Sequence, residues 1–207
     1  MRSRTPLDLP GRCHRCYQKA QLCLCAELPS VQTRTHFLLI RHQRETYKST
    51  GTARAAAMAM PNLSLRTYGA RDVPLDLSGL EAADTWLLFP CEQGPLTAPP
   101  SPPPSQVVVL DGTWAQAKSM VRRVPALRML PRLHLAPRQE RRLRLREPPN
   151  PEGMSTLEAI ARTVAFLEGD ALAQPLEHLH TLWVERCLRG RGKRLDDAWA
   201  QLDQRLS

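Results

Sequence analysis

Residues 107–114 read Val107-Val108-Val109-Leu110-Asp111-Gly112-Thr113-Trp114. Four aliphatic residues in a row, stopped by a carboxylate and a glycine, predict a short strand buried on both faces. Strands of that kind belong to parallel sheets covered by helices. Residues 115–124 then resume a helical pattern, so Asp111-Gly112-Thr113-Trp114 falls at a strand-to-helix turn. That is where α/β proteins place their chemistry.

The same alternation extends upstream. His36-Phe37-Leu38-Leu39-Ile40-Arg41 reads as a second buried strand. Residues 52–60 (TARAAAMAM) have the alanine and methionine content of a helix, stopped by Pro61. Residues 63–68 carry a short strand pattern, and Thr85-Trp86-Leu87-Leu88-Phe89 is a further buried strand closed by Pro90. Short apolar runs separated by helical stretches predict an α/β fold with a largely parallel sheet. Residues 95–105 hold Pro99, Pro100, Pro102, Pro103 and Pro104, which support neither helix nor ladder, so an exposed extended spacer is expected.

Downstream, Ser155-Thr156-Leu157-Glu158 is a capping-box pattern. Leu157, Ile160, Ala161, Val164 and Leu167 follow at helical spacing on one face. Two further helices are expected over residues 177–188 and 195–206. No internal repeat is evident.

The 207 residues are 42% hydrophobic and 24% charged, a balance that excludes a fibre or a wholly disordered chain. One main core is expected at this length. The formal charge is +9, with arginine at 25 of the 29 basic positions. A planar guanidinium matches phosphate oxygens better than an ammonium does, so nucleic acid is the leading partner. Between residues 122 and 146 nine arginines stand against one acid, Glu140. That run has no interleaved Tyr or Phe, so it predicts contact with phosphates and leaves base recognition to other residues. The first ten residues are charged and lack an apolar core, and no apolar run is long enough to span a bilayer. A cytoplasmic protein without membrane contact is expected.

Four of the six cysteines fall within thirteen residues. Cys13-x-x-Cys16 and Cys23-x-Cys25 offer four thiolates to one tetrahedral zinc ion, which would fold a segment too short to fold around its own core. The second pair is tightly spaced, so His14 stands as a substitute for one sulfur, and reduced free thiols are the plain alternative. Residues 1–30 are therefore read as a Cys-rich zinc knuckle, and residues 31–207 as the main domain.

Asp111 is the carboxylate at the mouth of the clearest strand, placed to accept a proton. Asp and Thr at such a turn are also ordinary helix caps, and Trp114 could be plain core. The stretch Lys48-Ser49-Thr50-Gly51-Thr52-Ala53-Arg54 offers hydroxyls and two cations before a helix, which suits an anion; the order required of a P-loop is absent.

Taken in chain order, four motifs resemble the DTW-domain family, the tRNA-uridine aminocarboxypropyltransferases. They are Cys13-x-x-Cys16 with Leu22-Cys23-Leu24-Cys25; His42-x-x-Glu45 with Thr50-Gly51-Thr52-Ala53-Arg54; Leu110-Asp111-Gly112-Thr113-Trp114; and Gly153-Met154-Ser155-Thr156-Leu157-Glu158-Ala159. This sequence has Gly51 and Gln43 where the family commonly has Asn and Pro.

The resemblance implies a SPOUT-like fold with a C-terminal trefoil knot, S-adenosylmethionine as co-substrate, and transfer of its aminocarboxypropyl group to N3 of a uridine in tRNA. In that reading Asp111 is the base, with Thr113 and Trp114 orienting it and walling the pocket. The cofactor lies against Phe89, Pro90, Leu135, Ala136, Met154, Ser155 and Thr156. Glu45, Thr52 and Arg54 hold its amino-acid end or the RNA, and Arg138, Arg141, Arg142 and Arg144 meet phosphates. No protein partner is implied. Two other readings use the same residues: a SPOUT-type RNA methyltransferase with the same cofactor, and a zinc-containing RNA-binding protein without catalysis.

Overall fold

The computed structural model describes residues 10–136, 143–145 and 153–206. Arg138, Arg141 and Arg142 lie outside the described residues. Five strands form one sheet: β1 (His36–His42), β2 (Leu63–Tyr68), β3 (Thr85–Leu88), β4 (Gln106–Asp111) and β5 (Arg132–Leu133), in the order β2-β1-β4-β3-β5. Every pairing is parallel. The helices are α1 (Thr52–Ala59), α2 (Trp114–Arg123), α3 (Pro125–Met129), α4 (Thr156–Glu168), α5 (Asp170–Gly190) and α6 (Leu195–Leu206).

The apolar runs read from the sequence are the central strands. Phe37, Leu38, Leu39 and Ile40 are completely buried, because alternate side chains enter two separate cores. Phe37, Leu39, Val107 and Val109 face α1, α4 and α5, whereas Leu38, Ile40 and Val108 face α2 and α3. The register pairs Phe37 with Val107 and Leu39 with Val109 across β1 and β4, so each face is a continuous apolar surface. Burying each such side chain contributes about 1.5–3 kcal/mol. The helical face expected at Leu157, Ile160, Ala161, Val164 and Leu167 packs into the first of these cores.

Three elements differ from the sequence reading. α3 and β5 were not foreseen: β5 is two residues long and is held by the bonds Leu87 N to Pro131 O (2.8 Å) and Phe89 N to Leu133 O (3.2 Å). The helix expected over 177–188 begins at Asp170 and runs through Pro175. A proline there removes one ladder bond, but Ala173, Leu176 and Leu179 bury a face on either side of it. Gly169, with φ +103°, separates α4 from α5 in a backbone conformation that side chains rarely adopt.

The Cys-rich segment packs into the main core, where Cys16 and Leu24 are completely buried. The proline-rich connection carries no helix or strand among the described residues and is mostly exposed; Pro104 is buried, and its carbonyl accepts from the Thr35 hydroxyl (3.3 Å). No helix among the described residues is long and apolar enough to cross a membrane.

Candidate active site

The strand order creates a recess. β1 and β4 lie side by side at the centre of the sheet. The chain leaving β1 passes through α1 to β2 on one side, and the chain leaving β4 passes through α2 and α3 to β5 on the other. Connections that part in opposite directions open a crevice at the carboxyl ends of the two strands. A cavity of about 610 Å³ lies there, within the range of sites for small ligands.

Asp111, the last residue of β4, lines this cavity and is 7% exposed. Its Oδ1 accepts a hydrogen bond from the Thr156 hydroxyl at the first turn of α4 (2.6 Å). Its Oδ2 is buried without a partner. Burial pushes the Asp111 carboxyl above its ordinary value of 3.8, and the Thr156 bond works against that rise. The nearby Glu45 pushes it up as well, while Arg41 and Lys48 pull it down. Arg41 is the register partner of Asp111 on β1. The result is a carboxyl with one oxygen fixed and one free, suited to accepting a proton from a bound ligand.

The walls bring together most of the residues expected from the sequence. Glu45, Thr52, Phe89, Pro90, Asp111, Thr113, Trp114, Leu135, Arg144, Met154, Ser155 and Thr156 all line the cavity. Two described residues do not. The Ala136 carbonyl accepts from Arg162 Nε (3.1 Å). Arg54 stacks its guanidinium on Tyr17, 3.3 Å from the ring centroid, and donates to the Thr46 carbonyl.

The local structure explains the placements. Thr113 caps α2, its hydroxyl accepting from Gln116 N (3.3 Å), so the orientation of Asp111 expected from Thr113 comes instead from Thr156. Gly112 sits where an added Cβ would lie 3.0 Å from Gln116 Oε1 and 3.1 Å from its Cβ, which lets the turn close on that capping box. Thr52 Oγ1 accepts from Leu157 N (3.4 Å), joining the starts of α1 and α4. Glu45 is buried and bonded to Lys48 Nζ (2.5 Å). His42 caps the 3-10 turn at Gln43–Glu45, its Nδ1 accepting from Arg44 N (3.2 Å), and burial lowers its pKa.

Sequence reasoning missed several wall residues. Glu158 was read as a capping partner, which it is: Oε2 accepts from Ser155 N (3.2 Å). Its Oε1 also meets Arg144 Nη2 (3.5 Å) inside the cavity. Arg144 Nη1 donates to the Gly153 carbonyl (2.9 Å) and braces the approach to α4. His134 is buried on the wall, its Nδ1 accepting from Cys91 N (3.3 Å), which leaves Nε2–H as a donor. His180 and Arg191 complete the far side. No local signal marks these positions, although the Ser-x-x-Glu pattern did expose Glu158 by number.

At the cavity rim Phe89 and Trp114 stack with centroids 5.1 Å apart and planes 9° apart. Lys118 Nζ lies 5.3 Å from the Trp114 centroid, and the Arg132 guanidinium 5.8 Å from that of Phe89.

A second cluster stands apart from the cavity. The sulfurs of Cys13, Cys16, Cys23 and Cys25 all lie within 4.8 Å of one another, with Cys13 to Cys25 at 3.6 Å and Cys16 to Cys23 at 3.7 Å. Four sulfurs at about 2.3 Å from a tetrahedral zinc would sit roughly 3.8 Å apart, so the spacing fits the ion; His14 is exposed and outside the cluster. Burial resists ionisation of Cys13, but the backbone N–H groups of Cys16 and Arg15 together with the thiols of Cys23 and Cys25 outweigh it and bring the thiol down to about 6. Cys25 is pushed up to about 12 by burial and by its sulfur neighbours. One negative charge forms readily and the last is resisted, which is the electrostatic problem a divalent cation resolves. Gln18 Nε2 ties the knuckle to the main body through Ser49 O (2.8 Å) and Cys187 Sγ (3.2 Å).

Fold and cleft together define a class: an α/β protein with an all-parallel sheet and a ligand pocket at the carboxyl ends of its central strands. Within that class residues 11–188 match the model of the DTW domain, and the chain belongs to the DTW domain family. It is similar to the tRNA-uridine aminocarboxypropyltransferase 2 of Mus musculus, 28% identical over 186 residues covering 81% of this chain and 61% of that protein. The protein of the same name from Macaca fascicularis is 27% identical over 193 residues, 84% of this chain and 64% of the relative. That from Drosophila melanogaster is 29% identical over 192 residues, 87% and 76%. The chain thus spans under two thirds of the two mammalian relatives. No solved structure gives a significant match.

Proposed function

We propose that this protein transfers the 3-amino-3-carboxypropyl group of S-adenosylmethionine to N3 of a uridine in tRNA, releasing methylthioadenosine. The observation that carries the reading is the free, buried Oδ2 of Asp111 on the wall of the cavity. The names of the relatives support the reaction class. The mixed charge of the walls, with Glu45, Asp111 and Glu158 facing Arg144 and Arg191, suits a donor that carries an ammonium, a carboxylate and a sulfonium.

When bound, the sulfonium donor supplies a carbon activated for displacement: a bond forms from N3 to that carbon as the carbon–sulfur bond breaks, and the sulfur leaves as a neutral thioether. The residues of this chain do the rest. Asp111 takes the N3 proton on Oδ2, and its raised pKa brings it closer to that of a weak nitrogen acid. Thr156 holds Oδ1, so the free oxygen keeps one direction. The three carbons beside a sulfonium are activated alike, and the walls must select one by position. Phe89 and Trp114 close the rim on the side of β3 and α2. Arg144, Arg191 and His134 Nε2–H are among the donors on the walls for a carboxylate or a heterocycle.

The SPOUT-like, knotted chain course belongs to the same reading. It is supported by the all-parallel strand order β2-β1-β4-β3-β5 and by the bond from Thr156, the first residue of α4, to Asp111 at the end of β4. Zinc held by Cys13, Cys16, Cys23 and Cys25 has a structural role, and the reaction takes place in the cytoplasm. The test is incubation of the full chain with tRNA and donor labelled on the methyl or on the carboxyl carbon. Carboxyl label on the RNA supports the reading, and methyl label on the RNA refutes it.

A further inference from the structure

From Gly112 to Gln139 the chain holds no acidic residue. In the described part of that stretch α2 and α3 expose Lys118, Arg122, Arg123 and Arg128, and none of them has an ion-pair partner among the described residues. Arg132 is fixed beneath them, donating to the Leu127 and Arg128 carbonyls (3.2 Å each) at the end of α3. Five cations within fifteen residues repel one another unless a polyanion is near.

Their position relative to the cavity gives the patch a use. Trp114, Lys118 and Arg122 follow at four-residue spacing and form one stripe along α2, about 12 Å long. The stripe begins at the cavity rim, where Lys118 and Arg132 flank the stacked Trp114 and Phe89 rings. The acids of the site lie inside the cavity, and the charges exposed on α2 and α3 are all basic, with Met129 the one large apolar side chain exposed among them.

We propose that the α2–α3 face is where the RNA docks. Phosphates lie against Arg122, Arg123 and Arg128, and the Phe89–Trp114 rim marks the point at which one nucleotide leaves the strand for the cavity. This rests on the reading of tRNA as substrate and adds the surface, on the side of the sheet opposite α4, that receives it. Charge complementarity fits a polyanion with regularly spaced charges and no apolar anchor, as a nucleic-acid backbone is.

The experiment measures anisotropy of end-labelled, unmodified tRNA with the full chain over a range of salt. Replacing Arg122, Arg123 and Arg128 together by Glu is expected to weaken binding at least tenfold. The slope of log affinity against log salt should become shallower by about 2–3, the share of three lost phosphate contacts. Donor binding by calorimetry and the melting temperature should match wild type. Arg34→Gln, just before β1 at the amino ends of the strands and paired with Glu168 (3.5 Å), serves as the control and should change affinity little. Unchanged affinity and slope in the triple variant overturn the docking surface while leaving the transfer reaction intact. So does a result in which the whole slope change follows Arg138, Arg141 and Arg142, or one in which the triple variant loses binding only to an acidic protein. A wild-type chain that binds tRNA through this face but transfers no label leaves the surface standing and removes the reaction.

Discussion

Two groups of ionisable side chains gather in this molecule, and they differ in the room they leave. The four cysteine sulfurs crowd within 4.8 Å of one another, with space between them for one ion. Glu45, Asp111 and Glu158 instead face about 610 Å³ of open cavity. A closed set of acids spends its charge on a cation and holds the chain together. An open set keeps at least one carboxylate available to a ligand, at a cost in stability.

The largest effect is expected at the closed set. Metal analysis should find one zinc per chain, and Cys16→Ala should lose it, because structural zinc contributes on the order of 10 kcal/mol of apparent binding energy. Cys16 is also completely buried in the main core. Melting with and without a chelator checks this; a chain that melts identically in both would show that the thiols hold no metal.

At the open set, Asp111→Asn should reduce transfer by about 10²–10⁴-fold, the range of a lost general base. Its stability should move the other way. The folded state holds the Asp111 proton more tightly than the unfolded chain, whose value is near 3.8, so ionising it costs stability as pH rises from there through the folded value. Wild type loses that increment by neutral pH and the Asn variant does not. Melting temperatures at pH 4 and pH 7 measure it, and a variant that is less stable at pH 7 breaks the contrast.

A smaller effect concerns tuning. The rate at low substrate should fall as pH drops through the raised Asp111 value, and Thr156→Val should move that limb to higher pH by removing the bond that lowers it. A pH–rate profile with an unmoved limb would assign the titration to another group. The smallest effect lies between the two regions. Tyr17→Leu removes the stack on Arg54 and should cost about 1 kcal/mol, with donor affinity unchanged. A matching loss of donor affinity would mean that the knuckle reaches the cavity.

The sequence displayed what local pattern encodes. The run at 107–110 and the turn at Asp111 mark the central strand and the site, and Ser155-x-x-Glu158 marks the helix opposite. It did not display what depends on distant neighbours. Thr156 reaches Asp111 across 45 positions, and a hydroxyl carries no periodicity to announce its partner. Arg54 looked like a ligand contact because it follows a loop of hydroxyls, yet an aromatic ring 37 positions earlier claims it. β5 is too short for alternation to register, and with it His134 stayed hidden. The start of α5 at Asp170, ahead of Pro175, rests on the buried face of Ala173, Leu176 and Leu179, which depends on distant partners.

The recess at the ends of β1 and β4 follows from the routing of the backbone, with the core residues Val109, Leu133 and Leu135 in its walls. It therefore survives replacement of the polar groups that face it, provided that core stays packed. A lineage carrying this chain course can exchange those groups one at a time, trying new partners and new reactions, without ever having to invent the place where they meet.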